Sequence, residues 1–351
     1  MKREWILDKN HLSYWLRQLR NQMQLIAPMR DQVGDIVFKQ VEHIHKIELN
    51  CPSLLPSVKE FFLPQYERLF EYSKKDDRVV DSISKTKRVI FGLRSCDVAA
   101  LNTLDRFFID EMPDPYYKSR RENSLLISIV CNNPDPTCFC IGLDTGPYLK
   151  QGFDIQLTDL GDRYFVQAES EWAISIIKNY HFLFSRPQKS DYDDQYEVLL
   201  SSKARFQKRI SLQQSRQLIK SGRIKDSFWQ GITSRCFECG GCVYQCPLCT
   251  CFTVVDRSYN DTVERARLWD SCLFKGFTRL AGGILPNEER IKRTKRWFFH
   301  KLIHYPDVLE SFGCVGCGRC TVTCPGRIDM ASVCMKLKSI ALNGEEITDE
   351  G

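Results

Sequence analysis

Two stretches decide how this chain reads: Cys236-Phe-Glu-Cys-Gly-Gly-Cys-Val-Tyr-Gln-Cys-Pro247 and Cys314-Val-Gly-Cys-Gly-Arg-Cys-Thr-Val-Thr-Cys-Pro325. Each has the spacing C-x₂-C-x₂-C-x₃-C-P, and together they are the chain's one internal repeat. A tight loop with this spacing presents three sulfurs to three corners of a cubane and sends the fourth cysteine, redirected by proline, to a neighbouring group. Gly240, Gly241, Gly316 and Gly318 allow the backbone N–H groups to approach an anionic core.

The pairing rule for such runs gives two [4Fe-4S] clusters. One is expected on Cys236, Cys239, Cys242 and Cys324, the other on Cys314, Cys317, Cys320 and Cys246. Structural zinc is the competing reading of clustered cysteines, but it takes two separated pairs rather than two complete runs of four followed by proline. Cys246 and Cys314 are separated by 67 residues, including helix-like sequence at Val263 to Phe274 and Glu288 to Ile303. That interval predicts an α-helical ferredoxin domain rather than the small βαβ ferredoxin fold.

Upstream of the motifs the pattern changes. Arg88-Val-Ile-Phe-Gly-Leu-Arg94 reads as a buried strand, followed by a periodic helix from Val98 to Phe108 with Asp97 as its N-cap. Leu125 to Val130 is a second buried strand, so the unit is βαβ with parallel pairing. Gly152 to Gln167 alternates around Gly161-Asp162, a hairpin expected at the sheet's edge. Residues 9–20 read as a helix, with a polar and aromatic stretch after them to about Asp81. The fold class is therefore α+β: an N-terminal α/β domain with a partly parallel sheet, residues 1–225, followed by the helical ferredoxin domain, residues 226–351.

Both strand ends of the βαβ unit deliver cysteine. Cys96 follows the first and Cys131 the second, with Cys138 and Cys140 just beyond. Ligands of open α/β sheets gather outside the carboxyl ends of strands, and the helix after Cys96 points its positive end there. A third [4Fe-4S] cluster on these four is one reading and four buried thiols the other. Cys249, Cys251 and Cys272 complete no ligand pattern and read as buried thiols near a cluster. Cys51 and Cys334 carry no signal. His300 and His304 lack the glutamate of a zinc helix and read as an ordinary helix face.

Composition limits the alternatives. The chain has 351 residues, 43% hydrophobic and 27% charged, with 17 cysteines. No apolar run reaches about 18 residues and the first residues lack a signal-peptide core, so a cytoplasmic, non-membrane protein is expected. In a reducing compartment that many cysteines indicate metal ligation, not disulfides. The formal charge of +6 is spread along the chain, without the aromatic-interleaved basic stripe of a nucleic-acid binder. Clusters of about −2 each would nearly cancel it. No GxGxxG, GxxxxGK[ST] or GxSxG motif is present, which argues against a flavin or nicotinamide site and against serine hydrolysis.

With these residues in view, the chain resembles the beta subunits of sulfhydrogenases, the cytoplasmic bidirectional NiFe hydrogenases. It equally resembles their close relative in anaerobic sulfite reductase, the iron–sulfur subunit of that complex. The likeness rests on Phe91-Gly-Leu-Arg-Ser-Cys-Asp97, Asp114-Pro-Tyr-Tyr-Lys-Ser-Arg-Arg121, Cys138-Phe-Cys140, Gly152-Phe-Asp154, Cys246-Pro-Leu-Cys-Thr-Cys251, Asp270-Ser-Cys272 and Cys314-Val-Gly-Cys-Gly-Arg-Cys320. It implies a non-catalytic subunit relaying electrons between a flavin-bearing, NAD(P)H-oxidising diaphorase partner and a catalytic hydrogenase or sulfite reductase partner. Cys96, Cys131, Cys138 and Cys140 match the family's pattern. Two alternatives from other classes are a self-contained iron–sulfur oxidoreductase acting at the N-terminal cluster, and an adaptor whose metal centres only hold the fold.

Overall fold

The computed structural model describes residues 3–50 and 56–343. In chain order its strands are β1 (Arg3–Asp8), β2 (Gln24–Arg30), β3 (Ile36–Gln40), β4 (Tyr66–Ser73), β5 (Arg78–Asp81), β6 (Arg88–Leu93), β7 (Ser124–Ile129), β8 (Ile155–Asp159), β9 (Arg163–Ala168), β10 (Phe184–Ser185), β11 (Phe252–Tyr259) and β12 (Thr262–Trp269). The helices used below are α1 (Lys9–Gln22), α2 (Ser95–Asp105), α3 (Pro115–Glu122), α4 (Glu171–Asn179), α5 (Gly241–Tyr244), α6 (Arg290–Phe299) and α7 (Arg319–Thr323). Two compact units result, 1–58 with 84–208 and 59–83 with 209–351. The expected single division at 225/226 differs from this in two ways: the change falls near 208, and residues 59–83 join the second unit because β4 and β5 pair there.

The first unit is built on a sheet of order β10-β1-β9-β8-β7-β6-β2-β3. Its centre is parallel (β2 with β6, β6 with β7, β7 with β8), and antiparallel strands flank it. Every residue of β6 and β7 is buried, as expected of parallel strands covered on both faces. One face packs Val89, Phe91, Leu125 and Ile127 against Trp15, Leu16 and Leu19 of α1 and Ile174 and Ile177 of α4. Leu12, Trp15, Leu16 and Leu19 follow helical spacing, and Asp8 caps α1 by accepting from the Asn10 N–H at 2.8 Å.

Three expectations are corrected in this unit. Asp97 is not the N-cap of α2. Arg94 is, and Asp97 lies at N3, its carboxylate accepting the Arg94 N–H at 3.1 Å in a capping-box arrangement. The 155–168 hairpin forms, but it lies inside the sheet because β1 pairs along β9 and β10 beyond that. The polar stretch before Asp81 holds β2 and β3 of this unit, and β4 and β5 of the other; each pair is a local one, and only β2 (with β6) and β4 (with β12) also reach a distant partner.

The second unit is not purely helical, which corrects the expected helical ferredoxin domain. It contains an antiparallel sheet of order β11-β12-β4-β5. Val263 to Phe274, expected as helix, supplies β12, paired with β11 in register Tyr259↔Thr262 and with β4 on its other side. Glu264, Arg265, Ala266 and Leu268 favour helix locally, and pairing on both sides overrides that weak preference. The Asn260-Asp261 link, with Asn260 at φ 48°, is the two-residue hairpin turn that marks the strands. Glu288 to Ile303 is helical as expected, as α6 followed by a π-helical stretch at His300–His304.

Candidate iron–sulfur centres

The two motif loops fold alike. Glu238 and Gly316, at equivalent positions, both adopt left-handed backbone (φ 52° and 64°), and each donates its N–H to the first cysteine of its loop. These N–H···Sγ distances, to Cys236 and to Cys314, are both 3.4 Å. Gly240 and Gly318 share φ 75° and start the short helices α5 and α7. At Gly240 an added Cβ would sit 2.9 Å from the Phe274 ring, so glycine is needed both for conformation and for space. Glu238 is a strained choice by comparison. Its carboxylate is anchored by Arg293 at 2.6 Å and Arg290 at 3.5 Å.

The tertiary structure crosses the repeat. Cys236, Cys239, Cys242 and Cys324 line one cavity, together with Leu273, Trp297 and Phe298. Burial, then the neighbouring Cys324, Cys236 and Cys239, pushes the Cys242 thiol up. Cys314, Cys317 and Cys320 gather likewise. Burial raises all three, Cys314 and Cys317 feel the charge of Cys246, and Cys320 feels Cys314 and Cys317. The fourth cysteine of each motif thus stands with the first three of the other. Among the described residues no three His, Cys, Asp or Glu side chains are placed to hold a single metal ion. The thiols of the first set surround a space, the arrangement a polynuclear group needs.

The lining of that space fits an anionic iron–sulfur core. Trp297 presents a buried Nε1–H with no hydrogen-bond partner among the described residues, a donor an inorganic or cysteine sulfur could satisfy. In the second set the Leu248 N–H donates to Cys246 Sγ at 3.4 Å, and the buried Lys301 Nζ lies 3.2 Å from the same sulfur and 2.7 Å from the Gly313 carbonyl. The Cys246 thiol is held well down by a hydrogen bond with Cys249, against the effect of burial and with Lys301 assisting. Cys249 is pushed well up by the same bond.

In the first unit Cys96, Cys138 and Cys140 are buried and Cys131 is half-buried. Cys96 lies in the first turn of α2, and Cys131 follows β7 and lines a cavity with Arg94, Asn132 and Asp159. Segment 146–147 gathers this region. Gly146 approaches Cys140 so closely that an added Cβ would stand 2.6 Å from Sγ, while the Pro147 carbonyl accepts from Ser95 Oγ at 2.7 Å and from the Cys131 N–H at 3.2 Å. Cys138 is set by a turn in which its N–H donates to the Asp135 carbonyl. Cys334 is buried in the last helix and Cys51 lies outside the described residues.

Residues 235–328 match the 4Fe-4S dicluster domain. This dicluster segment contains both motif loops and the hairpin between them. The likeness to sulfhydrogenases extends further: the chain is 29% identical over 337 residues to the sulfhydrogenase 2 subunit beta of Pyrococcus furiosus, spanning 93% of this chain and 96% of that protein. No solved structure matches. An iron–sulfur electron-transfer role follows from the dicluster match and this relative together. No helix among the described residues is long and apolar enough to cross a membrane.

What sequence reading missed in the dicluster segment is a set of buried polar partners. Lys59, from the inserted 59–83 segment, reaches the Cys249 carbonyl at 2.9 Å and lies 4.0 Å over the Trp269 ring. Nothing in the local sequence around Lys59 signals this, because the contact spans 190 positions.

Proposed function

We propose that this chain relays single electrons between a flavin-bearing, NAD(P)H-oxidising partner and a catalytic partner, a NiFe hydrogenase or a sulfite reductase, in the cytoplasm. The observation that carries the reading is the crossing of the two cysteine runs into two foursomes. Cys236, Cys239, Cys242 and Cys324 would hold one [4Fe-4S] cluster, and Cys314, Cys317, Cys320 and Cys246 the other. A third would take Cys96, Cys131, Cys138 and Cys140, where the end of β7 and the first turn of α2 bring cysteines toward segment 146–147. Bound clusters supply one-electron redox chemistry, and the protein's share is to set their potentials.

The residues of the dicluster segment suit that share. The Glu238, Gly316 and Leu248 N–H groups donate to thiolate sulfurs, and Lys301 places a buried ammonium against Cys246. Donated hydrogen bonds and positive charge favour the reduced, more negative state and so raise a cluster's potential.

The test is anaerobic purification of the chain with its native partners, followed by metal and cofactor analysis of the complex. Nickel with hydrogen-dependent nicotinamide reduction identifies a hydrogenase relay, and sirohaem without nickel identifies a sulfite reductase. Clusters that do not reduce at potentials useful for nicotinamide coupling would leave only the adaptor role. Substrate turnover by the isolated chain would favour an enzyme acting at the N-terminal cysteines instead.

A further inference from the structure

Three cysteines that complete no motif meet at the base of the β11–β12 hairpin. Cys251 precedes β11 and Cys272 follows β12, and the strands pair up to Phe252↔Trp269, after which the Asp270 N–H donates to the Cys251 carbonyl at 2.9 Å. The hairpin therefore closes the two cysteines on each other. The Cys251 thiol is hydrogen-bonded with that of Cys272 and also takes the Cys272 backbone N–H. Cys249 enters from the turn after Cys246, its N–H donating to the Cys246 carbonyl, and its thiol feels the charge of Cys251.

Two lysines are buried against these thiols, Lys59 at 3% exposure and Lys301 at 4%. Among the described residues neither makes an ion pair with a carboxylate. Lys59 is held by the Val243 and Cys249 carbonyls and the Trp269 ring; burial pulls its ammonium's pKa down, Lys301 adds to that, and Cys249, Cys246 and Cys251 work against it. Glu60, next in the chain, has its own carboxyl pushed up by burial. A buried ammonium costs several kcal/mol unless an anion accompanies it. Buried cysteines become stable anions when a metal takes the place of their protons. Both lysines feel the charge of Cys246 and Cys249, and Lys59 alone also feels that of Cys251.

We propose that Cys249, Cys251 and Cys272 hold an additional iron–sulfur group in this unit, with Lys59 as its buried counter-cation. Ligation exchanges the thiol–thiol hydrogen bonds for S–Fe bonds. Each cysteine releases one proton, and no sulfur changes oxidation state. Three protein thiolates suit a three-iron core with one thiolate per iron, or a four-iron core whose fourth iron carries a non-protein ligand. The proposal rests on the iron–sulfur reading of the same unit.

The experiment compares the full chain with a Cys251→Ser/Cys272→Ser double variant, both purified anaerobically, for iron and acid-labile sulfide per chain and for electron paramagnetic resonance. The expected result is a loss of three or four irons, the number distinguishing the two cores, with the signals of the ferredoxin-type clusters retained. Equal iron content, or zinc in place of iron, would overturn the proposal. Should the variant fail to fold, alkylation of the native unsubstituted chain decides. Cys249, Cys251 and Cys272 should resist modification until a chelator strips the iron, and modification before chelation rules the site out. Loss of iron on Cys317→Ala addresses the ferredoxin-type clusters separately, so the two readings fail by different results.

Discussion

Cys317 and Tyr164 show how one side chain's surroundings become measurable. Cys317 sits in the middle of the second motif, buried, with its thiol pushed up by burial. Replacing it, Cys317→Ala, is expected to remove about four irons per chain and interrupt electron flow while the first unit stays folded. Unchanged iron would refute the ligand assignment. Tyr164 lies on β9 in the other unit, its hydroxyl pushed up to about 12 by burial and then by Asp159. A pKa raised in the folded state contributes stability that is complete below about pH 10 and disappears as pH rises toward 12. Tyr164→Phe should flatten the alkaline side of the stability curve by something on the order of 1 kcal/mol, measured by urea unfolding between pH 9 and 12; an unaltered slope would contradict this origin. The sequence named the motif cysteines by spacing alone, but it could not name Lys59 or Lys301, because a lysine's burial depends on what packs over it.

At the level of elements, β12 carries the largest departure from sequence expectation. Its Arg267 stands opposite Glu67 of β4, and the pair is buried at 5% and 1% side-chain exposure, with Arg267 Nε donating to Glu67 Oε2 at 2.9 Å. Removing one partner of such a pair leaves a charge stranded in low dielectric. Glu67→Ala should therefore cost about 3–5 kcal/mol in the second unit, read by thermal or denaturant unfolding, and a loss below about 1 kcal/mol would mean water reaches Arg267. The motif loops make a second prediction. Gly240→Ala forces a Cβ toward Phe274 from a left-handed backbone, so about 1–3 kcal/mol of stability should go, along with iron from the Cys236 set. The Gly318 loop offers the internal comparison. Both glycines were legible from the motif, whereas β12 was not: its residues favour helix, and only β11 and β4 on its two sides make it a strand.

For the whole molecule the division into two units is the main consequence. Anaerobic removal of iron by a chelator should raise amide exchange across residues 236–325 while β6 and β7, buried throughout in an apolar core, keep their protection; collapse of both together would show that the first unit also depends on metal. The alternation of buried strands with a periodic helix made the parallel centre of the first sheet readable, since burial on both faces writes itself as continuous apolar sequence. Strands β1, β2 and β3 were not readable, because β1 and β2 find their partners β9 and β6 far along the chain and β3 is a short edge strand beside β2. By itself the sequence determined the spacing of the two cysteine runs in the last third of the chain, on which the proposed cluster ligands rest. The tertiary structure alone decided that residues 59–83 build into the second unit and that Lys59 and Lys301 lie beside the thiols. Local spacing is fixed by covalent geometry, whereas burial, charge compensation and strand pairing are properties of segments that meet only when the chain has folded.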